Sequence, residues 1–281
     1  MNARKVIKFV NALARLFAGL ALLATLAPAH DGLHEQIVEL TARIKHAPHN
    51  ASLYLKRGEL YRLHRDWRRA AADYDRAARL QPALSVVDLA RGTMLFEAGR
   101  PQAAKVALDR FLGKHPAHFE ALTTLARVLV KLGRRAEAER NYARAIAQTL
   151  TPEPELYVER ARALAEPVEA GNTGEALRVL DEGVAKLGPL VTLQLYAVDL
   201  ELRLKNYGAA LERLDSVAVQ SSRKEVWLTR RGEILLRAGQ QMQAREAFAA
   251  ALAAVESLPT HRRRTRAVAD LEAHLRTALA P

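Results

Sequence analysis

Apolar and small residues along this chain recur in columns, and the spacing between columns is far longer than one helical turn. Pro48, Pro82 and Pro116 stand 34 residues apart. Gly58, Gly92 and Ala126 keep the same interval, as do Tyr61, Leu95 and Leu129. Ala70, Ala104 and Ala138 repeat it, followed by Tyr74, Leu108 and Tyr142, and by Ala77, Phe111 and Ala145. Between these columns the apolar residues are not arranged in the alternation that marks a strand. Ala, Leu and Arg dominate instead, and they lose little side-chain freedom in a helix. Each period therefore predicts two helices. A small residue sits where helices cross, aromatic or aliphatic side chains fill the gap, and a proline ends the second helix.

The pattern continues less regularly towards the C-terminus. Tyr157, Ala161 and Leu164 mark a fourth first helix, with Ala176, Leu180 and Gly183 on its second. Between them "EPVEAGNTG" lengthens the turn. Leu193, Tyr196, Ala197 and Leu200, then Ala210, Leu214 and Val217, mark a fifth unit. Gly232, Leu235, Gly239, Ala244, Phe248 and Ala251 mark a sixth. "LHEQIVELTARIKHAP" reads as a lone second helix before the first unit, and "RAVADLEAHLRTAL" as a capping helix after the last. End units need such covers, because an apolar face is otherwise left wet.

These columns resemble the tetratricopeptide repeat (TPR) family, whose unit is a helix–turn–helix of this length. The resemblance implies an all-α, right-handed α-solenoid of about six repeats, with an N-terminal half-repeat helix and a C-terminal capping helix. Its repeats would span about 51–84, 85–118, 119–152, 154–189, 190–224 and 225–258, with a cap at 259–281, in one domain over 30–281. It also implies a concave groove walled by the first helices, where exposed side chains hold a segment of another protein. Carried onto this chain, the groove candidates are Leu55, Glu59 and Arg62; Val86, Leu89, Thr93 and Phe96; Thr123, Arg127 and Val130. Val158 and Arg162, Gln194 and Glu201, and Thr229, Glu233 and Arg237 extend the series. Leu55 and Glu59 stand where a Lys/Asn clamp for a C-terminal carboxylate would be needed, so a chaperone-tail receptor is disfavoured.

Residues 1–29 read as an export signal. Arg4, Lys5, Lys8 and Arg15 precede the apolar run "LFAGLALLATLA", and Ala27-Pro28-Ala29 offers small residues for cleavage before His30. The run is short for a membrane span, which needs about 20 residues; an uncleaved anchor is the alternative. The chain has no cysteine, which removes structural disulfides, thiol catalysis and thiolate metal sites. The expected location is the bacterial periplasm, or the medium beyond it. The net charge is +12, and +8 without the export segment (43 minus 4 Lys and Arg, less 31 Asp and Glu); outside the cytoplasm it points to acidic proteins, anionic lipid or envelope polymers rather than to nucleic acid.

Motifs for chemistry are missing. There is no GxSxG, P-loop, GxGxxG or HExxH, and "HEQIV" at His34 lacks its second histidine. Asp181 with Glu182, and Glu137 with Glu139, fall on polar helix faces. A catalytic role and a bound cofactor are not expected. One metal reading stays open: cleavage before His30 would leave a terminal amine and an imidazole on one residue, with His34 nearby, a nitrogen set that suits Cu(II). His115 and His118 in a comparable loop favour a plainer role for these histidines. Two basic clusters remain. The first (Lys56, Arg57, Arg62, Arg65, Arg68, Arg69) is interleaved with acids and reads as a solvated face. "HRRRTR" at 261–266 could meet an anionic surface. The leading expectation is a non-catalytic adaptor in the cell envelope that binds protein partners, with copper handling and polyanion binding as alternatives.

Overall fold

Small residues at the helix crossings set the spacing of everything else. In the computed structural model, a Cβ on Gly58 would lie 2.6 Å from the Tyr74 ring, and one on Gly92 would lie 2.6 Å from Leu108 Cγ. At Gly58, Gly92 and Gly232 the small position of the first helix is thus filled by the large residue of its own second helix. Ala70, Ala104, Ala138, Ala176 and Ala210 are fully buried on those second helices. The structure describes residues 28–166, 172–219 and 221–280, with side chains from residue 32 onward. The expected export segment, apart from its last residues, and the middle of "EPVEAGNTG" lie outside the described residues.

The chain divides into two compact units, one ending at Pro116 and the other starting at Ala117. The first holds α1 (Pro28–His46), α2 (Ala51–Leu63), α3 (Trp67–Leu80), α4 (Val86–Glu97) and α5 (Pro101–Lys114). α2 with α3 and α4 with α5 form hairpins; α1 covers α2, and α3 packs on α4. The second unit holds α6 (Phe119–Lys131), α7 (Arg135–Ile146), α8 (Pro154–Ala165), α9 (Thr173–Leu187), α10 (Val191–Arg203) and α11 (Tyr207–Ala218). It continues with α12 (Lys224–Arg237), α13 (Gln241–Glu256), the short α14 (Thr260–Arg263) and α15 (Arg266–Leu279). Here four hairpins stack in chain order, and α15 packs on α13. Among the described residues there is no strand. Each unit is by itself an all-α stack of helical hairpins, as the columns predict.

Local chemistry fixes the helix ends. Asn50, Asp66 and Asn172 accept hydrogen bonds from the backbone N–H groups of Ser52, Arg69 and Glu175, satisfying donors that the first turn leaves open. Pro101 and Pro154 open their helices where no intrahelical N–H is needed. The cap is real: Val268 and Leu275 are buried in a cluster with Leu235, Phe248 and Val255. Arg245 donates to the carbonyls of Leu279 and Ala280, closing the free end of α15.

The described turns inside five of the hairpins each hold one left-handed residue. Gly99, Gly133 and Gly239 supply it with φ of 71°, 74° and 76°, while Arg65 and Lys205 adopt 57° and 60° with a side chain attached. A non-glycine residue in this region costs about 1 kcal/mol. Arg65→Gly is therefore expected to raise stability by roughly 0.5–1 kcal/mol in urea unfolding, despite the added freedom of the unfolded chain. An unchanged or lower midpoint would mean that Arg65 is held there by contacts worth more than the strain.

Candidate functional site

Side chains of consecutive first helices meet directly. In the first unit Arg62 of α2 reaches Glu97 of α4 at 2.6 Å and also pairs with Glu59 on its own helix. Glu59 in turn accepts a 2.5 Å hydrogen bond from the Tyr74 hydroxyl. Burial, then the Glu59 carboxylate, push the Tyr74 hydroxyl far above its ordinary range, so the ring stays neutral and donates. In the second unit Arg127 of α6 bonds Glu159 of α8 at 3.0 Å. Arg162 of α8 lies 5.4 Å above the Tyr196 ring of α10, and Arg230 of α12 reaches Asp199 of α10 at 3.0 Å. His274 of α15 stands 3.9 Å from Glu233 of α12, so the cap continues the same row. One polar contact bridges each of these steps.

A second arginine set works deeper. Arg57 makes a two-point bond to Asp73, 2.8 Å at each oxygen contact, and donates to Thr41 of α1. The hydrogen bond to Asp73 holds the Arg57 guanidinium above its ordinary range. Arg57 also lies over the Tyr54 and Tyr61 rings, with Arg69 over Tyr61 and Arg76 over Tyr54. The first basic cluster is a solvated face at Lys56, Arg65, Arg68 and Arg69, which are exposed, but not at its other two arginines. Arg57 and Arg62 are only 16% and 17% exposed, tied up in ion pairs and against rings. Arg160 joins Glu139 to Glu182, and Arg213 joins Asp181 to Glu201. The carboxylate neighbours noted in the sequence are therefore partners of arginines.

The sequence profile of the tetratricopeptide repeat family matches residues 95–157. Residues 95–157 are thus similar to tetratricopeptide repeats, and the stack of helical hairpins is the fold of solved repeat proteins. Solved structures with the same fold include YrrB, described as a TPR protein with an unusual peptide-binding site. It is 22% identical with a TM-score of 0.53, covering 64% of this chain and 90% of YrrB. A tetratricopeptide repeat protein from Parabacteroides merdae aligns at 17% identity and TM-score 0.54, over 88% of this chain and 94% of its own. PilW, a type IV pilus biogenesis factor, aligns at 21% and 0.54, over 70% and 90%. No curated protein matches the sequence.

The repeats divide the groove candidates into three groups. Leu89 and Glu201 are buried, at 7% and 5% exposure. Leu89 belongs to the core, and Glu201 is spent inside its repeat on Arg213 and Asn206; neither is offered to a partner. Thr123, Gln194 and Thr229 are buried as well, and Thr229 donates to the Glu225 carbonyl. Glu59, Arg62, Arg127 and Glu233 lie on the surfaces of their own units but are engaged in the pairs above. Leu55, Phe96 and Val130 are partly exposed, and Arg162 and Arg237 are open to solvent. What sequence reasoning missed is the outer stripe of the last repeats: Val191, Leu195 and Val226 are exposed apolar residues. The four-residue interval between Val191 and Leu195 was the available signal.

Two of the histidines have structural duties. His115 stacks on Phe111 and bonds Ser85, and His118 caps α6 through the Ala121 N–H. His34 is exposed on α1, and the His30 side chain lies outside the described residues. Hollows of about 440 Å³ occur near helix ends in the second unit. One is lined by Arg134, Arg135, Glu137 and Glu166, another by Arg223, Glu225 and Arg262. Arg134 pairs with Glu137 and Arg223 with Glu225, so these acids are held as counter-ions rather than poised as bases. In the C-terminal basic cluster Arg263 bonds Glu272, and Arg266 stands 3.8 Å from Asp270. No described helix is long and apolar enough to cross a membrane.

Proposed function

We propose that the chain is a non-catalytic adaptor of the bacterial cell envelope that holds a segment of a partner protein on the first helices of one of its units. The observation that carries this is the step-by-step contact between those helices: Arg62 to Glu97, Arg127 to Glu159, Arg162 to Tyr196 and Arg230 to Asp199. Side chains locked to each other across helices lose little freedom when something binds, which is how a preformed surface gains affinity. Apolar and ionic groups alternate on it, as they do in surfaces that recognise protein segments. The peptide-binding site named for YrrB supports the same use of this fold. The basic start, apolar run and Ala27-Pro28-Ala29 of the sequence support export to the periplasm.

The test is crosslinking in cells followed by purification from the envelope fraction. One variant per unit is compared with wild type: Phe96→Ala in the first and Arg127→Ala in the second. At least one of them is expected to lower partner recovery by about tenfold, the usual effect of truncating a central contact. Recovery of no specific protein, or recovery unchanged in both variants, ends the adaptor reading. Recovery only from the cytoplasmic fraction ends the envelope assignment alone.

A further inference from the structure

The outer stripe of α10 changes character along its length. Val191, Leu195, Asp199 and Arg203 follow one another at four-residue intervals, which places them on one helix face. On α12, Val226, Arg230 and Arg237 follow at intervals of four and seven residues, again on one face. The Arg230–Asp199 pair at 3.0 Å joins the two stripes near their middles. The intervening α11 reverses the chain, so α10 and α12 run in the same direction, and their like ends lie side by side.

The N-terminal end of this face is apolar. Val191, Leu195 and Val226 are 42%, 37% and 38% exposed, so each leaves part of its aliphatic surface open. The C-terminal end is cationic. Arg203 and Arg237 are exposed, and with Arg162 they form no ion pair among the described residues. The acids on the same helices are already taken: Asp199 and Glu233 by Arg230, Glu201 by Arg213, and Glu225 by Arg223. Arg162 and Arg203 both bear on the Tyr196 hydroxyl, which is buried and has no hydrogen-bond partner among the described residues. The face therefore carries uncompensated positive charge at one end and uncovered apolar surface at the other. Leu195 and Arg203 are separated by two helical turns, about 12 Å along the axis.

We propose that this face of the second unit takes an acidic amphipathic segment of a partner protein. Its apolar side chains would meet Val191, Leu195 and Val226, and its carboxylates would meet Arg162, Arg203 and Arg237. This rests on the binding function above and specifies the chemistry of what is bound. Guanidinium groups match carboxylates in charge and in planar donor geometry. A nucleic acid would engage the cations through phosphate yet gain nothing from three aliphatic side chains in place of stacking aromatics.

A display library of short random peptides, selected on the purified chain, tests it. Enriched peptides are expected to join two or more Asp or Glu to an apolar cluster. The double variant Arg203→Glu, Arg237→Glu is expected to weaken them by at least about tenfold, with an affinity that falls as salt rises. Leu195→Asp is expected to weaken them at every salt concentration. All three positions are exposed, and unchanged circular dichroism and melting show that the variants fold. Neutral or basic peptides that Leu195→Asp still weakens would overturn the acidic specificity and leave the adaptor function standing. Peptides indifferent to every one of these substitutions would overturn the site while leaving the function to other repeats. A single-stranded oligonucleotide that competes at Arg203 and Arg237 would replace the partner class and overturn the proposal.

Discussion

Ala104→Arg is expected to lower the stability of the first unit by at least about 4 kcal/mol, a large part of what a domain of ordinary size possesses. Ala104 is fully buried on α5, one helical turn before Leu108, which fills the gap left by Gly92. An arginine there must either bury a guanidinium without a partner or push α4 and α5 apart, and both outcomes are costly. Urea unfolding, with hydrogen exchange of α4 and α5, reads the effect. Gln102→Arg on the exposed side of the same helix serves as control and is expected to stay within about 0.5 kcal/mol of wild type. If Ala104→Arg melts with wild type, the assignment of this helix face is wrong.

Phe248→Ala is the counterpart in the second unit, with an expected loss of roughly 3–5 kcal/mol. The ring is 3% exposed in a cluster with Leu235, Val255, Val268 and Leu275, and His274 stands edge-on at 6.4 Å. Opposite it is Gly232, where an added Cβ would come within 2.5 Å of the ring. Because glycine has no side chain to swing inward, the cavity stays open, and incomplete collapse is what raises the cost of such truncations. Phe248→Leu should lose only about 1–2 kcal/mol, since it keeps most of the buried volume and Leu108 already fills the equivalent place opposite Gly92. Hydrogen exchange in α15 is expected to speed up in Phe248→Ala, because Val268 and Leu275 seat the cap on this cluster. A loss below about 1 kcal/mol would mean that the cap, not the ring, holds this end together.

Much of the architecture could be read from residue types alone. A residue without a side chain, or with only a methyl, is needed wherever two helices cross closely, so Gly58, Gly92, Ala70 and Ala104 announce the crossings. A left-handed turn residue favours glycine, so Gly99 and Gly133 announce the turns. The cap was legible for the same reason, since Val268 and Leu275 lie seven residues apart on one face. The candidate site was less legible. A groove position defined by its place in the repeat does not say whether its side chain is open. Leu55 is half-exposed whereas Leu89, in the same column, is core. Apolar surface at Val191 and Leu195 carried only a weak signal, because the same spacing also describes an inward face.

By itself, then, the sequence determined the helices, their pairing into hairpins and the positions of close approach, because each depends on a local property: backbone freedom, size, or apolar spacing. The tertiary structure alone decided where the charges went. Arg57 and Arg91 occupy the same column, 34 residues apart. Arg57 bonds Asp73, sixteen residues ahead, whereas Arg91 bonds Asp75, sixteen residues behind, in the preceding hairpin. A guanidinium on a long, flexible stem can reach either neighbouring helix, and only the carboxylate that packing brings within 3 Å selects one. Among the described residues the same selection leaves Arg162, Arg203 and Arg237 without a carboxylate of their own, three charges that one face of the second unit can offer to another chain.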